Sequence, residues 1–87
     1  MLVKKDPLNL TGKVAVITGG SSGIGLGVCE LLSAYGAKIA MVDISPKGEE
    51  KVQELRDAGR DAAFFQCDVT NEEQVKATVD AIVAKFG

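Results

Sequence analysis

The residues with the clearest chemical potential lie in one stretch, Thr18-Gly19-Gly20-Ser21-Ser22-Gly23-Ile24-Gly25. Four glycines in seven positions cost backbone entropy on folding, and a simple turn needs only one. The stretch follows a short apolar, β-branched run at 13–18 (KVAVIT) and precedes a segment with helical spacing at 24–35. In that setting Gly19 lets the chain leave a strand tightly. Gly23 lets backbone approach a pyrophosphate with no side chain in the way, and Gly25 permits close packing of helix on strand. A helix N-terminus offers unpaired N–H groups and partial positive charge, both suited to an anion. Ser21 and Ser22 add hydroxyl donors near the same phosphates. The spacing is G-x-x-x-G-x-G: the pattern G-x-G-x-x-G would require glycine where Val28 stands, and no G-x-x-x-x-G-K-[ST] loop of the ATP-binding type is present.

A carboxylate forms the second feature. Asp43 closes the apolar run 37–43 (AKIAMVD), 18 positions after Gly25. An acid about 20 residues beyond a glycine loop accepts hydrogen bonds from the hydroxyls of an adenosine ribose. The same charge repels a 2′-phosphate, so NAD is the expected cofactor over NADP. Cys29 and Cys67 are the only cysteines and histidine is absent, so four zinc ligands cannot be gathered from Cys and His, nor a Ser-His or Cys-His pair formed. The two thiols read as small buried hydrophobes in a reducing compartment.

The elements that must position these groups follow from periodicity. The strand at 13–18 is expected to be buried on both faces. The helix at 24–35 carries Val28, Leu31, Leu32 and Tyr35 on its inward spacing and ends at Gly36. After the strand at 37–43, Ser45 is the expected cap of a helix with Pro46 in its first position. That helix runs to about Ala58, with Val52 and Leu55 inward, and Gly59 ends it. A third strand spans 62–67, and Thr70 with Glu73 has the form of a capping box. The last helix puts Val75, Val79, Ile82, Val83 and Phe86 on one stripe. The order β-α-β-α-β-α leaves room only for parallel crossovers. It predicts an α/β chain: the βαβαβα half of a Rossmann-type doubly wound parallel sheet, strand order 3-2-1, over residues 13–87, with residues 1–12 as lead-in.

Composition narrows the class. Ten Lys and Arg are offset by twelve Asp and Glu, scattered along the chain, which leaves no electrostatic footprint for nucleic acid. Neither a secretory signal nor a run of roughly 18 apolar residues is found, so no membrane association and a cytoplasmic location are expected. A unit of 87 residues buries only about 60% of its unfolded surface, a thin core that suggests part of something larger.

At this point the sequence resembles the short-chain dehydrogenase/reductase family. TGGSSGIG matches that family's T-G-x-x-x-G-I-G cofactor motif at every fixed position, which makes Gly19, Ser21, Ser22, Gly23, Ile24 and Gly25 candidate cofactor contacts. The likeness extends from LTGKVAVITGG through the acid at Asp43 to Cys67-Asp68-Val69-Thr70 and Lys85-Phe86-Gly87, covering about residues 8–87. It implies that Asp68 and Val69 lie beside the adenine ring, with the carboxylate taking the exocyclic amine. NADP-preferring members place Arg or Lys where this chain has Ser22 or Ile44, which again implies NAD. The resemblance further implies hydride transfer between NAD(H) and an alcohol/carbonyl substrate, in a homo-oligomeric parent of about 250 residues. The family's catalytic Tyr-x-x-x-Lys pair and its upstream Ser are not in this stretch: position 39, four after Tyr35, is Ile39. No catalytic residue is assigned here, and the 87 residues alone are expected to be inactive. Two other readings are compatible with a glycine loop and a second-strand acid. One is a noncatalytic nucleotide-binding module; the other is a fragment of an S-adenosylmethionine-dependent methyltransferase.

Overall fold

The computed structural model describes residues 9–87 and contains three strands and three helices in strict alternation. Strand β1 is Val14–Thr18, helix α1 Gly23–Ala34, strand β2 Lys38–Asp43, helix α2 Gly48–Asp57, strand β3 Ala62–Gln66 and helix α3 Glu72–Phe86. All pairing is parallel and β2 is central, giving the sheet order β1-β2-β3. These are the same neighbour pairs that the order 3-2-1 names from the opposite edge.

The side chains of β2 divide the molecule into two layers, because successive strand residues point to opposite faces. Ile39 and Met41 pack with Cys29 of α1, Val52 and Leu55 of α2, and Ala62. Ala40 and Val42 pack with Cys67 and Ile82 of α3 on the other side. Helices α1 and α2 therefore share one face of the sheet, and α3 covers the other.

Several expectations from the sequence need correction. Strand β1 is not buried on both faces: Ala15 and Ile17 pack against the first cluster, whereas Val14 and Val16 are 36% and 55% exposed. Helix α3 packs its one buried residue, Ile82, against β2 and leaves the same face of β1 uncovered; Val79 and Val83 on its expected stripe are exposed as well. In α1 the inward positions are Cys29 and Ser33, with Leu26 and Leu32 partly buried, while Val28 and Leu31 face out. Helix α2 begins at Gly48 rather than Pro46, after a turn in which Ser45 Oγ accepts from Lys47 N at 3.3 Å. A Cβ on Gly48 would overlap the Phe64 ring, so glycine allows this helix start to sit directly on β3.

The cap of α3 is Asn71, whose side chain accepts from Gln74 N at 3.1 Å. Thr70 instead belongs to the preceding turn, where its N at 2.9 Å and its Oγ1 at 2.6 Å both donate to Asp68 Oδ1. This local Asx-type turn fixes Thr70 outside the helix, and Asn71 supplies the capping oxygen one residue along. Of the expected lead-in, residues 1–8 lie outside the described residues, but Leu10 is anchored: its N–H donates to the Tyr35 carbonyl at 2.8 Å, and its side chain meets the first core cluster.

Candidate functional site

Three chain segments leave the carboxyl ends of the three parallel strands at the same end of the sheet. They are the glycine loop after β1, Asp43-Ile44 after β2 and Cys67-Asp68-Val69 after β3. Hydrogen bonds hold them in line: Gly20 N donates to the Val42 carbonyl at 3.3 Å, and Cys67 N donates to the Asp43 carbonyl at 3.0 Å. Between them lies a cleft of about 180 Å³ lined by Gly19, Val42, Asp43, Ile44, Cys67, Asp68 and Val69. Open α/β sheets bind ligands at this position, in the crevice beyond the carboxyl ends of the strands.

The glycines divide into two physical roles. Gly19 and Gly23 have φ of +65° and +56°, the left-handed region that favours glycine, and a Cβ at either would project into open space. Gly25 is a packing glycine: a Cβ there would run into the carbonyl of Gly19 and the Cα of Gly20. Gly20 belongs with it, since a Cβ would stand 2.6 Å from Met41 Cγ and 3.3 Å from Cys29 Sγ. Sequence reasoning treated Gly20 as a variable position of the motif; its signal is only the glycine itself, because the crowding comes from residues distant in sequence.

The start of α1 suits an anion. Ser22 is its extended N-cap and makes no side-chain capping bond, and the first turn holds no acidic residue. The leading amides thus meet no competing carboxylate or cap from their own helix. Ile24 in that turn is an apolar side chain left 88% exposed.

Ser21 occupies a different place from the one expected. It is buried, and its hydroxyl donates to Asp43 Oδ2 at 2.5 Å while its N–H donates to the same oxygen at 3.2 Å. Asp43 Oδ1 accepts from Ser45 N at 3.1 Å. The Ser21 hydroxyl, followed by the Ser45 N–H, holds the Asp43 carboxyl below the ordinary carboxylate range, so it is ionised at neutral pH. The acid expected to meet a ribose is also the post to which the glycine loop is tied.

Asp68 combines a turn role with an available oxygen. Its Oδ1 takes both Thr70 donors, whose hydroxyl is the main cause of a lowered carboxyl pKa, and Gln74 Oε1 accepts from its backbone N–H at 2.9 Å. Among the described residues no donor reaches Oδ2. Val69 and Ile44 flank the cleft as exposed apolar side chains, 54% and 62% accessible. In the sequence Ile44 stands out only as an uncharged neighbour of the acid; the fold leaves it exposed at the cleft. Tyr35 ends α1, its carbonyl bound by Leu10 N, remote from the glycine loop in sequence and in fold. No cluster of potential metal ligands occurs among the described residues, and no helix there is long and apolar enough to cross a membrane.

A parallel α/β sheet with a glycine-rich strand-to-helix loop and an acid at the end of the next strand defines a nucleotide-binding class. Comparison with known proteins narrows it. The short chain dehydrogenase family matches residues 13–87, and the chain belongs to that family. Among its relatives, (+)-borneol dehydrogenase 2 of Salvia officinalis is 44% identical over 81 residues, 93% of this chain and 29% of the relative. The 2,5-dichloro-2,5-cyclohexadiene-1,4-diol dehydrogenase of Sphingobium indicum is 46% identical over 79 residues, 91% of this chain and 31% of that protein. A solved short chain dehydrogenase/reductase from Burkholderia phymatum, in complex with NAD, superposes with a TM-score of 0.86 at 38% identity, covering 91% of this chain and 28% of that one. The chain thus spans about a third of the length of the relatives it matches. Family membership decides against the methyltransferase reading.

Proposed function

We propose that residues 13–87 form the cofactor-binding half of a doubly wound, NAD-dependent dehydrogenase acting on an alcohol/carbonyl pair. The observation that carries this reading is the convergence of the glycine loop, Asp43 and Asp68-Val69 on one cleft at the carboxyl ends of the strands. The residues suit a dinucleotide chemically. Uncapped amides at the start of α1 meet a pyrophosphate, and Gly23 leaves that approach free of a side chain. The ionised Asp43 accepts from ribose hydroxyls and repels a 2′-phosphate. Ile44 and Val69 bound an apolar slot for an adenine ring, and the carboxylate of Asp68 accepts its exocyclic amine.

When bound, the nicotinamide cofactor supplies the hydride chemistry; this half of the fold supplies binding and orientation. On this reading the acid/base groups are not among residues 13–87, because the Tyr-x-x-x-Lys pair that the family resemblance implies is not found in this stretch. The names of the relatives point to alcohol substrates, and by the same reading the full-length protein is a cytoplasmic homo-oligomer.

Titration of NAD and NADP into the full-length protein and its Asp43→Ala variant tests the proposal. Loss of charge-assisted contacts worth about 1.5–3 kcal/mol corresponds to roughly ten- to hundredfold weaker NAD binding. The preference against NADP narrows or reverses at the same time. Equal NAD affinity in the two proteins would remove the ribose assignment, and failure of the wild type to bind either cofactor would leave the noncatalytic module as the better reading.

A further inference from the structure

The donors around Asp43 are unevenly distributed. Among the described residues Oδ2 takes both the N–H and the hydroxyl of Ser21, at 3.2 and 2.5 Å, whereas Oδ1 takes the Ser45 N–H at 3.1 Å, and the adjacent Ile44 N–H adds a weaker local contribution to the carboxylate. Ser21 is 5% exposed, so its hydroxyl is sequestered from solvent, and the bond joins residues 22 positions apart. It is therefore a tertiary link between the glycine loop and the end of β2, unlike the local turn bonds at Ser45 and Thr70. A hydroxyl has one proton to give, and that of Ser21 is given to Asp43. A carboxylate has about four acceptor positions, so the Ser21 pair saturates Oδ2 and leaves Oδ1 the less occupied oxygen.

We propose that Ser21 is a positioning residue for cofactor selectivity: its hydroxyl and amide clamp Asp43 Oδ2 to the glycine loop, so that the carboxylate meets the adenosine ribose already oriented. This replaces the phosphate-donor role expected of Ser21, and it rests on the NAD reading above. An unclamped aspartate at a cleft mouth samples several rotamers, and ordering it on binding costs affinity. Because the clamp acts through the ribose-binding acid, its loss falls on NAD. NADP, which gains nothing from that carboxylate, is little affected.

The test is a double-mutant cycle in the full-length protein with Ser21→Ala, Asp43→Ala and both together, titrated with NAD and with NADP. Removing one hydrogen bond to a charged group that acts indirectly is expected to weaken NAD about three- to tenfold in Ser21→Ala. NADP affinity stays within about twofold, and adding Ser21→Ala to Asp43→Ala changes neither affinity further. Ser21→Gly, which also lacks the hydroxyl, gives the same pattern and keeps the test valid should alanine disturb the packing. Equal weakening of both cofactors would show a general loosening of the loop, and an undiminished cost in the Asp43→Ala background would show action on phosphate; either overturns the clamp while leaving NAD binding intact. If the wild type binds no NAD, both the clamp and the reading beneath it fail.

Discussion

Gly23 and Gly25 stand two residues apart, yet adding the same methyl group to each should have opposite consequences. At Gly25 an alanine Cβ is driven into the backbone of Gly19 and Gly20, which cannot swing away as a flexible side-chain end would. Helix α1 must then lift from the loop, and overpacking of this kind costs about 1–3 kcal/mol. At Gly23 the Cβ meets nothing, and the cost is the left-handed backbone at φ +56°, roughly 1 kcal/mol for a side-chain-bearing residue. For a domain of 150–250 residues each kcal/mol moves the melting temperature by roughly 2–4 °C. A mid-range cost of about 2 kcal/mol at Gly25→Ala therefore lowers it by roughly 4–8 °C, against about 2–4 °C for Gly23→Ala. Cofactor binding runs the other way: Gly23→Ala places its methyl in the approach to the α1 amides and should weaken NAD at least tenfold with the fold largely kept. Gly25→Ala weakens NAD only as far as it displaces that helix. Calorimetry of the two full-length variants, with and without NADH, separates the effects. A wild-type melt for Gly25→Ala would refute the packing argument, and unchanged NADH binding by Gly23→Ala would refute the phosphate approach.

Three further outcomes are expected. The carboxyls of Asp43 and Asp68 lie below their ordinary range because hydroxyl and amide donors favour the ionised form. Their share of stability is present above the ordinary carboxylate pKa of about 3.9 and is lost as pH falls through the lower folded values; Asp43→Asn should flatten the decline in denaturation midpoint below about pH 4, and an unaltered acid limb would refute the assignment. Burial pushes the Cys29 thiol up to about 11, so the folded state resists its ionisation. Alkylation at pH 8 should modify Cys29 only on unfolding, and stability should fall as pH rises from about 8.5 towards 11; rapid labelling of Cys29 in the native state would contradict this. Finally, β1 pairs only with β2 among the described residues, and an apolar groove of about 220 Å³ runs past Val14, Val16, Val79, Val83 and Phe86. Exposed strand edges and apolar patches invite association. Residues 1–87 expressed alone should self-associate or melt broadly and oxidise no NADH; a monomer with a sharp two-state melt, or measurable hydride transfer, would count against that.

Much of this protein was legible in the linear sequence. The alternation of strands and helices follows from local periodicity: β-branched runs at 13–18 and 37–43, amphipathic stretches between them, and glycines at their ends. Parallel pairing follows from the connections, which are too long for hairpins and long enough for crossovers. The motif spacing marked Gly19 as a turn glycine, Gly23 as an open approach for a pyrophosphate and Gly25 as a packing position, and the end of the second run marked Asp43. The tertiary structure decided whatever depended on a partner distant in the chain. A side chain at Gly20 would crowd Met41 and Cys29, and the Ser21 hydroxyl donates to Asp43 across 22 positions. Thr70 departs from the capping box for a local reason: it is held in a turn by Asp68 two residues before it, and Asn71 caps instead. The uncovered face of β1 is a matter of where α3 lies, over β2. Periodicity records how many faces of an element are apolar, because it is a property of that element alone; which of those faces another element reaches is set only when all of them pack together.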